Sequence, residues 1–150
     1  MASKDSSRRV RDVMTPNPVT VTEQDEVRKA ARIMKEKDTG VVPVVDDGRK
    51  VIGLVTDRDI VVRCIAEGHD VGDCRVNSVM TKSVRSVRED APVDEVLSLM
   101  SDAEVRRVPV VNGNDELVGI VSMGDIAINT NRDNKVGKTL ENISEAPPNN

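Results

Sequence analysis

Apolar and polar residues follow one another along the chain in short blocks, and the blocks change period. Val19-Thr20-Val21 is a β-branched run of strand type. Thr22 to Asp25 supplies a polar helix start, and from Glu26 to Lys37 the residues Val27, Ala30, Ala31, Ile33 and Met34 recur at helical spacing. Val41 to Val45 is an almost unbroken apolar run, the mark of a strand buried on both faces. Asp46-Asp47-Gly48 predicts a turn and Val51 to Val55 a third strand. A second helix is predicted from Asp57, carrying Ile60, Val61, Ile65 and Ala66 until Gly68.

The same order then returns. Asp90 to Pro92 opens a helix with Val96, Leu97, Leu99 and Met100 on its apolar stripe. Val108 to Val111 and Leu117 to Val121 are paired strands around the polar loop Asn112 to Asp115. The repetition is literal at an offset of 66 residues, with Val13-Met14-Thr15 returning as Val79-Met80-Thr81 and Val42-Pro43-Val44-Val45 as Val108-Pro109-Val110-Val111. Gly53-Leu54-Val55-Thr56 returns as Gly119-Ile120-Val121-Ser122, and Asp59-Ile60 as Asp125-Ile126. The fold class is therefore α/β (α+β-like), with two β-α-β-β-α units: residues 8–68, a linker at 69–77, residues 78–130, and a polar tail at 131–150. In that tail, Lys135 to Ile143 has the spacing of a short amphipathic helix, and Ala146 to Asn150 reads as disordered.

Composition removes several function classes. The 150 residues contain no Phe, Tyr or Trp, so the core must be aliphatic and no aromatic platform for stacked bases exists. Lys plus Arg number 22 against 26 Asp plus Glu, a net charge of −4, which argues against a nucleic-acid partner. No apolar run approaches the roughly 18 residues of a membrane helix, and Met1 to Arg11 holds no apolar signal core; the expectation is a cytoplasmic protein. Cys64 and Cys74 have no metal-type spacing and read as incidental thiols, with a regulatory disulfide as the alternative. His69 is the only histidine and has no partner for catalysis or metal binding, so no metal site and no catalytic residue is expected. Gly137-Lys138-Thr139 lacks the first glycine of a phosphate loop, because Arg132 stands there. Met34 and Met100 read as core, and Arg8, Arg9 and Arg11 as a solvated basic arm.

One motif carries chemistry: Gly-h-h-[Ser/Thr]-x-x-Asp, where h is aliphatic. It appears as Gly53 to Asp59 and again as Gly119 to Asp125. A Ser or Thr followed three residues later by an acid is a helix capping box. The same geometry suits a nucleotide: free N–H groups and a hydroxyl for phosphate, and a carboxylate for ribose hydroxyls.

The doubled signature, the VMT opening and the VPVV strand resemble the cystathionine-β-synthase (CBS) domain as a tandem pair, from about Val10 to Asn129. The chain is similar to small stand-alone bacterial proteins of that family. The resemblance implies two units packed by their sheets with pseudo-two-fold symmetry, and a homodimer. It implies a regulatory module, not an enzyme, that binds an adenosine compound (AMP, ADP, ATP, NAD or S-adenosylmethionine) in clefts between the units and signals to a protein partner not identifiable from sequence. The alternative is a ligand-free structural or interaction dimer. Thr56 and Asp59 are implied to serve one cleft, and Ser122 and Asp125 the other, with hydroxyl to phosphate and carboxylate to ribose. Val19, Thr20, Val21, Val41 and Val42 are implied to flank adenine in the second cleft, and Arg85, Val87 and Val105 in the first. Arg58, Arg106 and Arg107 are further phosphate candidates. Gly124 matches Arg58, and Gly40 and Val41 match the arginine pair, so the Thr56/Asp59 cleft is expected to be the better occupied.

Overall fold

The apolar runs become strands and the 3.6-period segments become helices. The computed structural model describes residues 8–129. In chain order it contains β1 (Thr15–Pro16), α1 (Val27–Lys37), β2 (Val41–Val45), β3 (Val51–Thr56) and α2 (Asp57–Ile60). There follow α3 (Val76–Val79), β4 (Val87–Arg88), α4 (Val93–Ala103), β5 (Arg107–Val111), β6 (Leu117–Ser122) and α5 (Met123–Asn129). Two 3-10 turns, Val10–Asp12 and Val71–Asp73, and a π-helical turn, Val61–Ile65, complete the set. The mixed α/β class agrees with the sequence reading. The tail beyond residue 129, with the helix expected at Lys135 to Ile143, lies outside the described residues.

The chain divides into two compact units whose boundaries are not those of the repeat. One is residues 18–84; the other combines residues 8–17 with 85–129. In the second, the strand order is β1-β6-β5-β4, with β4 parallel to β5 and the other pairs antiparallel. In the first, β2 and β3 form the central antiparallel pair, and single bridges replace the outer strands: Val21 with Val44 (parallel) and Leu54 with Thr81 (antiparallel). The VMT opening of each repeat thus packs in the unit of the other repeat. The supposed linker 69–77 is likewise built in, since Cys74 and Val76 are buried among the core residues of unit 18–84.

The strand expected at Val19 to Val21 shrinks to one residue. Val21 donates to the Pro43 carbonyl and accepts from Val45 N–H, as a parallel ladder requires. The next rung would need a Pro43 N–H, which does not exist, so pairing stops before Val19, which is 43% exposed. Pro109 has the same effect in the other unit, where pairing covers Val87–Arg88.

Each core is aliphatic. Val27, Ala30 and Ile33 of α1 pack with Val42, Val44 and Val55; Val96, Leu97 and Met100 of α4 pack with Val108, Val110 and Val121. Full burial of one such side chain contributes roughly 1.5–3 kcal/mol. Met34 packs at the margin of its core, whereas Met100 is fully buried. Two apolar assignments fail. Ala31 is exposed, being one position off the inward stripe of α1. In the helix after β3, Ile60 and Cys64 face inward, which turns Val61, Ile65 and Ala66 outward. The helix ends at Gly68, whose φ of 85° is the left-handed conformation that closes a helix C-terminus. Cys64 and Cys74 are joined in a disulfide, against the expectation of incidental thiols, because the loop 65–73 returns Cys74 onto the inner face of that helix with Cα atoms 6.4 Å apart.

Gly53 is required by a close approach: a Cβ there would stand 2.8 Å from the Thr81 carbonyl oxygen and 3.1 Å from Met80 Sδ. The backbone oxygen cannot step aside without breaking the Leu54–Thr81 pair. Gly53→Ala should therefore destabilise the protein by about 1–3 kcal/mol in urea unfolding followed by circular dichroism. Gly48→Ala, whose Cβ meets only Asp46 Oδ1 at 3.5 Å, should stay within about 0.5 kcal/mol of the parent.

Candidate functional site

Both copies of the signature fold into the same object. β3 ends at Thr56 in extended conformation and α2 starts at once, so Thr56 is the N-cap. Thr56 Oγ1 accepts from Asp59 N–H at 3.0 Å, and Asp59 Oδ2 accepts from Thr56 N–H at 3.0 Å. That is the reciprocal capping box expected from a hydroxyl residue with an acid three positions on. In the other unit, Ser122 Oγ accepts from Asp125 N–H at 3.0 Å, and Asp125 Oδ2 accepts from Ser122 N–H at 3.3 Å.

Each carboxylate has a further contact that sequence reasoning missed. Thr81 Oγ1 lies 3.4 Å from both oxygens of Asp59, and Thr15 Oγ1 lies 3.5 Å from Asp125 Oδ2. The signal was present: Thr15 and Thr81 are matched positions of the VMT opening. Arg63 was also missed, although it stands four residues after Asp59 on a helical surface. Its Nε lies 4.0 Å from Asp59 Oδ1, and its Nη1 donates to the carbonyls of Val79 (3.1 Å) and Met80 (2.9 Å). Arg63 therefore ties the segment that carries Thr81 to the helix that carries Asp59. Asp59 is only 8% exposed.

The expected free N–H groups at the start of α2 are engaged. Asp57 N–H donates to the Gly40 carbonyl, Arg58 N–H to Asp57 Oδ1, and Asp59 N–H to Thr56 Oγ1. In α5, Met123 N–H donates to the Arg106 carbonyl. The groups left to donate at this turn are side chains: the Thr56 hydroxyl proton and the exposed guanidinium of Arg58.

The remaining sequence-assigned residues divide into two groups. Val41 lies opposite Thr56 in the β2–β3 ladder, and Arg107 opposite Ser122 in β5–β6. Arg85, Arg106 and Arg107 are exposed, as are Val19 and Val105, and Thr20 is half-buried. Val21, Val41, Val42 and Val87 are instead core side chains, each at most 5% exposed, which leaves them little surface to offer a ligand in this conformation.

A groove of about 340 Å³ lies elsewhere, at the start of α1, where Arg28 and Arg32 stand beside the pairs Lys29–Asp25 (3.4 Å) and Arg75–Glu26 (3.9 Å). Burial raises the Asp25 pKa, but the Thr22 N–H and Lys29 outweigh it and hold the carboxyl below its ordinary value. Among the described residues, no group of three or more His, Cys, Asp and Glu is placed to hold a metal, and no helix is long and apolar enough to cross a membrane.

The capping box makes a prediction of its own. Thr56→Ala removes the acceptor for Asp59 N–H and should cost about 1 kcal/mol in urea unfolding. Arg58→Ala, on the exposed side of the same turn, should leave the midpoint unchanged.

Comparison with known proteins agrees with the doubled geometry. Residues 10–65 and 76–129 each match the CBS domain. The CBS domain-containing protein YhcV of Bacillus subtilis (strain 168) is 38% identical over 135 residues, covering 90% of this chain and 94% of its own. Among solved structures, CBSX2 in complex with AMP superposes with a TM-score of 0.71 at 27% identity, covering 83% of this chain and 96% of its own. The CBS domain pair of protein MJ0100, in complex with 5'-methylthioadenosine and S-adenosyl-L-methionine, gives 0.73 at 30% identity, with coverage of 83% and 97%. Two matched domains over most of the chain, each with its capped carboxylate, place this protein in the CBS-domain family as a tandem pair.

Proposed function

We propose that the chain is a regulatory module without a catalytic step, and that it binds an adenosine compound at Thr56/Asp59 and, more weakly, at Ser122/Asp125. The observation that carries this reading is the duplicated carboxylate, held rigid in both units by a cap N–H and a threonine hydroxyl. A fixed acceptor suits vicinal ribose hydroxyls. The Thr56 hydroxyl and Arg58 would face phosphate, and Gly124 leaves the second half-site without that cation. Arg106 and Arg107, with the adenine-flanking segments around Val19, Arg85 and Val105, complete the proposal. AMP, bound by CBSX2, and S-adenosyl-L-methionine, bound by the MJ0100 domain pair, are the first compounds to try; ADP, ATP and NAD follow. An adenosine ligand of this kind is consistent with a cytoplasmic module. A bound ligand shifts conformation only through different affinities for two states, which a partner protein would then read.

A second reading has an observation in its favour. Val61, Val62 and Ile65 are 53%, 42% and 52% exposed on one helical turn, as a surface for a second copy of the chain would be. In that reading the protein is a homodimer that needs no ligand.

A chain without aromatic residues absorbs almost nothing near 260 nm, so a band there after gel filtration and nuclease treatment should reveal a co-purified nucleotide. AMP should raise the melting temperature, because ligand binding to the native state stabilises it. Asp59→Ala should weaken AMP at least tenfold in calorimetry, and Asp125→Ala less. A melting temperature indifferent to every adenosine compound, in a protein that sediments as a dimer, would favour the second reading.

A further inference from the structure

We propose that Cys64 and Cys74 are a redox-modification site that controls the Thr56/Asp59 half-site and leaves the Ser122/Asp125 half-site alone. This rests on the reading of Thr56/Asp59 as a ligand site.

The disulfide completes a ring around Asp59. From Asp59 the helix runs to Arg63 and Cys64, and the sulfur bridge crosses to Cys74. From Cys74 the chain enters α3 and reaches Met80 and Thr81, whose hydroxyl returns to Asp59. Arg63 spans the same ring inside the bridge, through the Val79 and Met80 carbonyls. Opening the sulfur bridge leaves α3 and Thr81 held by the Leu54 pair, the Arg63 contacts, the backbone bonds of Val76 to Asp25 and of Asn77 to Glu23, and core packing. The other half-site has no counterpart. The position matching Cys74 is Arg8, and those matching Arg63 and Cys64 are Asn129 and Thr130. A thiol reagent therefore meets one half-site only. A disulfide in a cytoplasmic protein belongs to the transient or sensing kind.

The exchange balances with a dithiol reductant. One reductant thiolate attacks Cys74 Sγ, Cys74 being the less buried residue at 4% exposed against 0% for Cys64. The S–S bond breaks, and its electron pair leaves on Cys64 Sγ, which takes a proton. The second reductant thiolate attacks the mixed disulfide and releases Cys74 as a thiol. Two electrons pass, and the reductant leaves as a disulfide. Residues 65–73 are exposed or half-buried throughout, so the sulfurs are reached by local opening of that loop and not of the β2–β3 pair.

Amide hydrogen exchange on the full chain, oxidised and then reduced with dithiothreitol, tests this, with thiol titration to prove each state. Reduction should speed exchange at 56–59 and 79–81 at least tenfold, with 13–15 and 122–125 unchanged. AMP affinity should fall several-fold on reduction, and Asp59→Ala should abolish that redox difference. Arg63→Met should loosen 79–81 even in the oxidised protein, and Cys64→Ala/Cys74→Ala should behave as the reduced form. Unchanged exchange at 56–59 and 79–81 would overturn the proposal. So would a loss of protection shared equally by both half-sites, or two thiols that glutathione disulfide does not join. If AMP binds neither form, the ligand reading falls, while the exchange data still decide whether the sulfurs govern the half-site.

Discussion

The surroundings of Asp59 depend on one pair of backbone hydrogen bonds. Leu54 N–H donates to the Thr81 carbonyl at 3.0 Å, and Thr81 N–H returns to the Leu54 carbonyl at 2.8 Å. That bridge brings the opening of the second repeat onto the third strand of the first. It demands a glycine at residue 53, where no side chain fits beneath the crossing segment. It also sets the Thr81 hydroxyl against the carboxylate that the capping box has already fixed. In the other unit the same task falls to Thr15 and Pro16, which pair with Ile120 and Gly119.

The frame is duplicated and its trimming is not. Both carboxylates have the same cap and the same threonine. Asp59 has an arginine beside it in the first turn, another one turn later, and a sulfur bridge below, where the positions matching Arg58, Arg63 and Cys64 are Gly124, Asn129 and Thr130. The differences sit on side chains that leave the backbone plan untouched, which is how two copies of one fold come to hold different chemistry.

Much of this was legible in the residues. The Val-rich runs gave the central strands, the 3.6-residue period gave α1 and α4, and a hydroxyl residue three before an acid gave both capping boxes. What escaped reading depends on tertiary proximity. Pro43 shortens the Val19 to Val21 strand because it lacks a donor at one rung. Helical spacing alone did not show that Ile60 and Cys64, and not Val61 and Ile65, face the core. The cysteines lie ten residues apart and meet only because the chain reverses at Gly68. Thr15 and Thr81 stand far in sequence from the carboxylates they touch, and only their matched places in the repeat mark them.

The exchange of opening segments orders the birth of the protein. Residues 18–84 form a continuous stretch, complete once it has left the ribosome, whereas the other unit joins residues 8–17 to 85–129. Domains gain their structure as the chain is synthesised from the N-terminus. The first of these residues to be made must therefore wait, with Val10 and Val13 uncovered, until the end of β6 has been added. The unit with the sulfur bridge can mature early; the other closes on a segment made before it.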